Sequence, residues 1–159
     1  MKALKRLLVI IIVASLLPAG QVWAAGSSVI TSADVNVLEK TQRKIITISW
    51  TGDSAGGSMP AITVGASTYG ITGWYLYTAE TNPGSTAPTD NYDIVINDAD
   101  GVDVAGGLLA NRHTTTTQLV NIGTSAYGYP LIRGDLSVAI TNNIVNSATG
   151  TIIMVFTAN

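Results

Sequence analysis

Apolar and polar residues alternate at period two in several short runs of this chain, each bounded by Gly, Pro, Asn or Asp, and no long stretch shows helical spacing. Ile46, Ile48 and Trp50 fall on one face of a strand from about Lys44 to Thr51, and Leu136, Val138 and Ile140 on one face of another from Asp135 to Thr141. Tyr92, Ile94 and Ile96 alternate with Asp93, Val95 and Asn97. Asp98-Ala-Asp-Gly101 then turns the chain into Val102–Val104, which predicts a hairpin, because Asp and Gly tolerate the backbone angles of a tight turn. Residues 151–156 are apolar on both faces, predicting a strand buried in the middle of the domain, with Asn146–Gly150 as the turn into it. Together these runs predict an all-β fold: an antiparallel β-sandwich, jelly-roll-like or barrel-like, in a single domain.

Two segments stand apart from the alternating core. Val29, Thr31, Ala33, Val35 and Val37 alternate with Ser28, Ile30, Ser32, Asp34 and Asn36, which predicts an extended N-terminal arm over residues 25–38, ahead of a sandwich domain over 39–159. Such an arm either pairs with its own sheet or leaves to complete the sheet of a neighbouring subunit. Residues 82–91, rich in Asn, Pro, Gly, Ser and Thr, predict the main loop.

The first 24 residues read as an export signal rather than as part of the fold. Lys2, Lys5 and Arg6 form a basic start, Leu7–Leu17 an apolar core of eleven residues, Pro18 and Gly20 a break, and Val22-Trp23-Ala24 a cleavage pattern. A membrane-spanning helix needs about 20 apolar residues, so the run is too short for an anchor. The expected product begins at Ala25 and is exported to the periplasm, the cell surface or the medium, without membrane attachment.

Removing 24 of 159 residues leaves 135, enough for one domain with a core of its own. The chain has no Cys, so no disulfide framework supports it. Lys40, Arg43, Lys44, Arg112 and Arg133 remain as five basic side chains against ten acidic ones, a formal charge of −5, which argues against a nucleic-acid partner. Only 11% of residues are charged, against about a quarter in ordinary soluble domains, and Thr, Ser, Asn and Gly fill the polar positions. That surface suits homo-assembly as well as it suits a hydroxyl-rich exported protein.

Residues 88–107, Pro-Thr-Asp-Asn-Tyr-Asp-Ile-Val-Ile-Asn-Asp-Ala-Asp-Gly-Val-Asp-Val-Ala-Gly-Gly, followed by Ala110-Asn-Arg112, resemble a family of small β-rich bacteriophage virion proteins. The flanks agree: Glu39-Lys40 and Lys44–Trp50 are similar to that family's opening strand, and Leu136–Asn142 with Asn146–Thr151 to its closing hairpin. The resemblance spans roughly residues 39–157. It implies a structural, non-catalytic particle component that packs against copies of itself or against other shell or tail proteins, and carries no catalytic residues with it. The export signal departs from the pattern, since virion proteins of this type assemble in the cytoplasm.

Candidate chemistry is sparse. His113 is the sole histidine, so any Ser-His-Asp triad must use it, and no nucleophile motif accompanies it; the expectation is a non-enzyme. Glu39 and Glu80 show no spacing that favours a glycosidase pair. Asp98, Asp100 and Asp103 place three carboxylates around one turn, a set that calcium would accept, although an ordinary hairpin turn uses the same residues. Trp74, Tyr75 and Tyr77 form an aromatic strand, with Trp74 and Leu76 on one side and Tyr75 and Tyr77 on the other. A tyrosine platform of that kind stacks on sugar rings in carbohydrate-binding modules, and in most sheets it is cross-strand packing; Tyr127 and Tyr129 can extend it. Three functions follow in order: an exported structural subunit that self-assembles as filament, coat or surface layer through strand edges and the arm; a virion structural protein; and a carbohydrate-binding or adhesive module.

Overall fold

The computed structural model describes residues 25–37 and 41–158. The expected signal segment, residues 1–24, lies outside them, as do Leu38–Lys40. Among the described residues eight strands run in chain order: β1 (Ser27–Val37), β2 (Thr41–Thr51), β3 (Ile62–Val64), β4 (Tyr75–Pro83), β5 (Asp93–Asn97), β6 (Gln118–Asn121), β7 (Leu136–Thr141) and β8 (Thr149–Thr157). They form two antiparallel sheets, β1-β2-β8-β4-β6 and β3-β7-β5. The expected all-β sandwich is what the chain forms.

From β2 onward each successive strand joins the opposite sheet, and pairing is nested: β2 with β8, β3 with β7, β4 with β6. The second half of the chain thus returns along the first, like one long hairpin wound around a core. Its tip is the turn at Asp98–Gly101, where Gly101 adopts φ +80°. This winding, with strands of the two halves paired inside two facing sheets, is the jelly-roll order. β1 has no counterpart in the nesting and lies outside it, added to the edge of β2.

The core sits between the sheets and is built by the predicted alternation. Ile46, Ile48 and Trp50 of β2, Leu76 and Ala79 of β4, and Ile152, Met154 and Phe156 of β8 face Ile62, Val64, Ile94, Ile96, Leu136, Val138 and Ile140 of the smaller sheet. Trp50, 2% exposed, meets Tyr92 with ring centroids 6.1 Å apart and planes tilted by 52°. Gly150 is required beneath the indole: a Cβ there would come within 2.8 Å of the Trp50 ring.

Three expectations need correction. β8 is central in its sheet, yet only one of its faces is buried; Ile153 and Val155 are half-exposed on the other, because the smaller sheet covers the inner face alone. Val102–Val104 does not form a returning strand. It makes one bridge, Asn97 with Asp103, since the Asp103 carboxylate accepts hydrogen bonds from the Ala105 and Gly107 N–H groups and Gly106 and Gly107 turn left-handed. The main loop begins later than residue 82, because β4 continues through Asn82 to Pro83, a last strand position where a proline sacrifices no interior ladder bond.

Candidate functional site: an open sheet edge and the face beside it

An edge strand exposes unpaired N–H and C=O groups to any strand that arrives. Three of the four sheet edges are blunted. β3 has three residues and follows Pro60, β6 has four, and β5 is capped by returning chain, with Arg112 N–H donating to Tyr92 O at 2.7 Å and Val104 N–H to Ile96 O at 2.8 Å. The fourth edge is β1, with eleven residues paired to β2 from Ser27 opposite Thr51 to Val37 opposite Thr41. It contains no Pro and no Gly, and its single charge, Asp34, pairs with Lys44 at 3.0 Å.

The predicted arm is therefore an ordered strand on its own chain's sheet. The register sets its faces. Val29, Thr31, Ala33 and Val35 stand opposite Ser49, Thr47, Ile45 and Arg43, on the outer side, and Val37 closes the ladder. Ser28, Ile30, Ser32 and Asp34 stand opposite Trp50, Ile48, Ile46 and Lys44, on the core side, where Ile30 packs partly against the core. At the start of the strand Gly26 fits against the 51–59 segment so closely that a Cβ would lie 2.7 Å from both Met59 Sδ and Ser58 O. That segment is held by Asp53, whose carboxylate accepts hydrogen bonds from the Ser58 hydroxyl and the Ala55 N–H; these bonds keep its pKa below the usual aspartate value. A cleft of about 380 Å³, lined by Ser27, Val29, Trp50, Pro83 and Gly150 among others, opens at the same end of the sheet.

The outer face of the larger sheet continues β1 into a broad, weakly charged surface. Ala33, Ile45, Val155 and Thr78 align across four strands, as do Thr31, Thr47, Ile153, Glu80 and Leu119 across five, with Val29 64% and Leu119 67% exposed. Glu80 is the one charge in these rows, and Arg43 lies in the next, with Val35, Thr157 and Tyr75. At one end Arg43 lies over the Tyr77 ring, 5.8 Å from its centroid, and Tyr77 stacks on Tyr129 at 5.0 Å and 23°.

In the aromatic strand Leu76 is buried and Tyr75 and Tyr77 are half-exposed. A bulge between Leu76 and Thr78 shifts the register beyond Leu76, and Tyr77 stacks on Tyr129. Tyr75 bridges Leu131, and Trp74 is half-buried against the core beneath Lys44, whose Nζ is 5.7 Å from the ring centroid. The sequence flagged Tyr129 only as an extension; its role depends on the β6–β7 loop returning beside β4, which no local pattern encodes.

The remaining candidates act within turns. Asp98 Oδ1 accepts hydrogen bonds from the Asp100 and Val102 N–H groups at 3.0 and 2.9 Å, and Asp103 accepts from Ile96, Ala105 and Gly107. The three aspartates are not brought together as metal ligands; no group of three or more His, Cys, Asp or Glu among the described residues is arranged to hold an ion. His113 Nδ1 accepts hydrogen bonds from the Thr115 and Thr116 N–H groups at 3.0 and 3.1 Å, closing the loop before β6. Burial lowers the Arg112 pKa and raises that of Tyr92, its neighbour across the bridge. Among the described residues no helix is long and apolar enough to cross a membrane. Comparison with known proteins finds no matching family model, no matching curated protein and no matching solved structure.

Proposed function

We propose that this chain is an exported, non-enzymatic structural subunit that assembles with copies of itself through the β1 edge of its larger sheet. One observation carries the reading: among the described residues, the only long sheet edge is uncapped, free of Pro and Gly, and bears a single, paired charge. Soluble β proteins blunt such edges, and this molecule blunts the other three. The nested jelly-roll winding and the resemblance to phage virion proteins support a particle or coat component, since capsid domains use this architecture. The low-charge outer face supports packing between copies in the same way.

The test is the size of the exported protein by light scattering and negative-stain microscopy, for the parent and for Thr31→Lys with Ala33→Lys. Filaments, shells or discrete oligomers that the lysines dissolve are the expected result. A parent that stays monomeric at high concentration overturns it.

A second reading rests on the Arg43–Tyr77–Tyr129 stack, a half-exposed aromatic platform of the kind that binds sugar rings. A glycan array separates the two: binding abolished by Tyr129→Ala favours an adhesive module, and no binding removes that reading.

A further inference from the structure

We infer that β1 is an exchangeable strand, and that in the assembly the edge of β2 receives the β1 of a second copy of this chain. This rests on the self-assembly reading above and specifies how one copy holds the next.

The fold closes without β1. The nested pairs β2–β8, β3–β7 and β4–β6 enclose the core, and β1 only lengthens one sheet. Its contribution to burial is small: along its core side Ser28, Ser32 and Asp34 are polar and exposed, and Ile30 alone packs partly against the core. A strand so attached is the easiest part of the domain to release, because opening it uncovers little apolar surface.

The connection to β2 favours release. Pairing of Val37 with Thr41 leaves three residues, Leu38-Glu39-Lys40, between the strands. Three-residue hairpin connections use a left-handed residue at their last position, nearly always Gly or Asn. Elsewhere this chain supplies such residues at its turns: Gly57, Gly101, Gly106, Asn91 and Asn142 all have φ between 58° and 80°. Between β1 and β2 it supplies none. A sequence without turn residues loses nothing by running on in extended form from one copy to another.

The acceptor already exists. A strand of identical sequence from another copy makes the same eleven pairs, the same Asp34–Lys44 ion pair and the same seat for Gly26 against Ser58 and Met59. The Gly26 seat also acts as a stop that fixes the register. Closed and exchanged forms therefore share their contacts and differ in the connection and in protein concentration.

The absence of Cys makes the test direct. Thr31→Cys with Thr47→Cys puts one thiol on β1 and one opposite it on β2, on the outer face; Asp34→Cys with Lys44→Cys does so on the other face. Neighbouring antiparallel pairs alternate in geometry, so the two variants sample both types, and one suits a disulfide if the other does not. Each full-length variant is allowed to assemble, oxidised, denatured and run without reductant. Covalent dimers or ladders are expected in the assembled fraction. Adding Lys40→Gly, which supplies the missing turn residue, should lower the interchain fraction about tenfold. Assemblies whose disulfides are all within one chain overturn exchange while leaving edge assembly standing. Monomers with intrachain disulfides overturn both.

Discussion

β1 and β8 are both long strands, both antiparallel partners of β2, one on each side of it. Their backbone pairing is alike and their commitment to the fold is not. β8 sends Gly150, Ile152, Met154 and Phe156 into the core and is gripped on its far side by β4. β1 sends three polar residues and a partly covered isoleucine toward the core, and among the described residues no strand pairs with its far side. The lesson is that ladder hydrogen bonds set where a strand lies, whereas side-chain burial sets how firmly it stays. Backbone hydrogen bonds exchange with water at little net gain, and buried apolar area carries most of the free energy.

The largest expected effect comes from attacking β8. Truncation before Ile152 should abolish folding, and Phe156→Ala should cost about 3–5 kcal/mol in urea denaturation; removal of Ala158 and Asn159 should leave the transition unmoved. Next, deletion of residues 25–37 should leave a cooperatively unfolding monomer while abolishing large assemblies. Loss of the cooperative transition would show that the two strands are equivalent after all. Third, Ile30→Ala should cost about 1–2 kcal/mol, roughly half of a fully buried truncation, and should raise hydrogen exchange in β1 while sparing β8.

Acid should widen the same gap. The Asp53 carboxylate has a depressed pKa in the folded chain, so its contribution is complete above the ordinary aspartate value near 4 and is lost as pH falls through the lower folded value. Because Asp53 holds the segment that seats Gly26, exchange at Ser27–Ile30 should accelerate in that acid range, whereas exchange in β8 should not. The smallest effect belongs to Asp34→Asn, which removes an ion pair whose carboxylate is largely exposed: at most about 1 kcal/mol, vanishing in high salt.

How far the sequence reveals this molecule depends on which interactions are local. Alternation at Ile46-Ile48-Trp50, Tyr92-Ile94-Ile96 and Leu136-Val138-Ile140 identifies the buried face of three strands, because a half-buried strand must repeat every second residue. β3 and β6, at three and four residues, are too short for that period to register. The bulge between Leu76 and Thr78 inserts one residue, so the alternation that covers Tyr75–Tyr77 does not carry on into Thr78 and Ala79. Nested pairing cannot be read from any window of the chain, since it joins Trp50 to Gly150 across nearly the full domain. The arm was legible as a strand. Its loose hold was legible too, in the serines and the aspartate that take its core-facing positions, but only once the register said which side was inward.

The eleven-residue ladder between β1 and β2 also has a mechanical reading. Antiparallel hydrogen bonds lie across the strands, so a pull along the strand axis loads every pair at the same moment, whereas a pull at one end, directed away from the sheet, opens them one after another. β1 enters at the Thr51 end of β2, and β8 finishes near Arg43 at the opposite end. Tension applied between Ser27 and Thr157 therefore runs lengthwise along this ladder. A joint made of the same ladder would resist stretching far better than peeling, as a seam stitched along its length does.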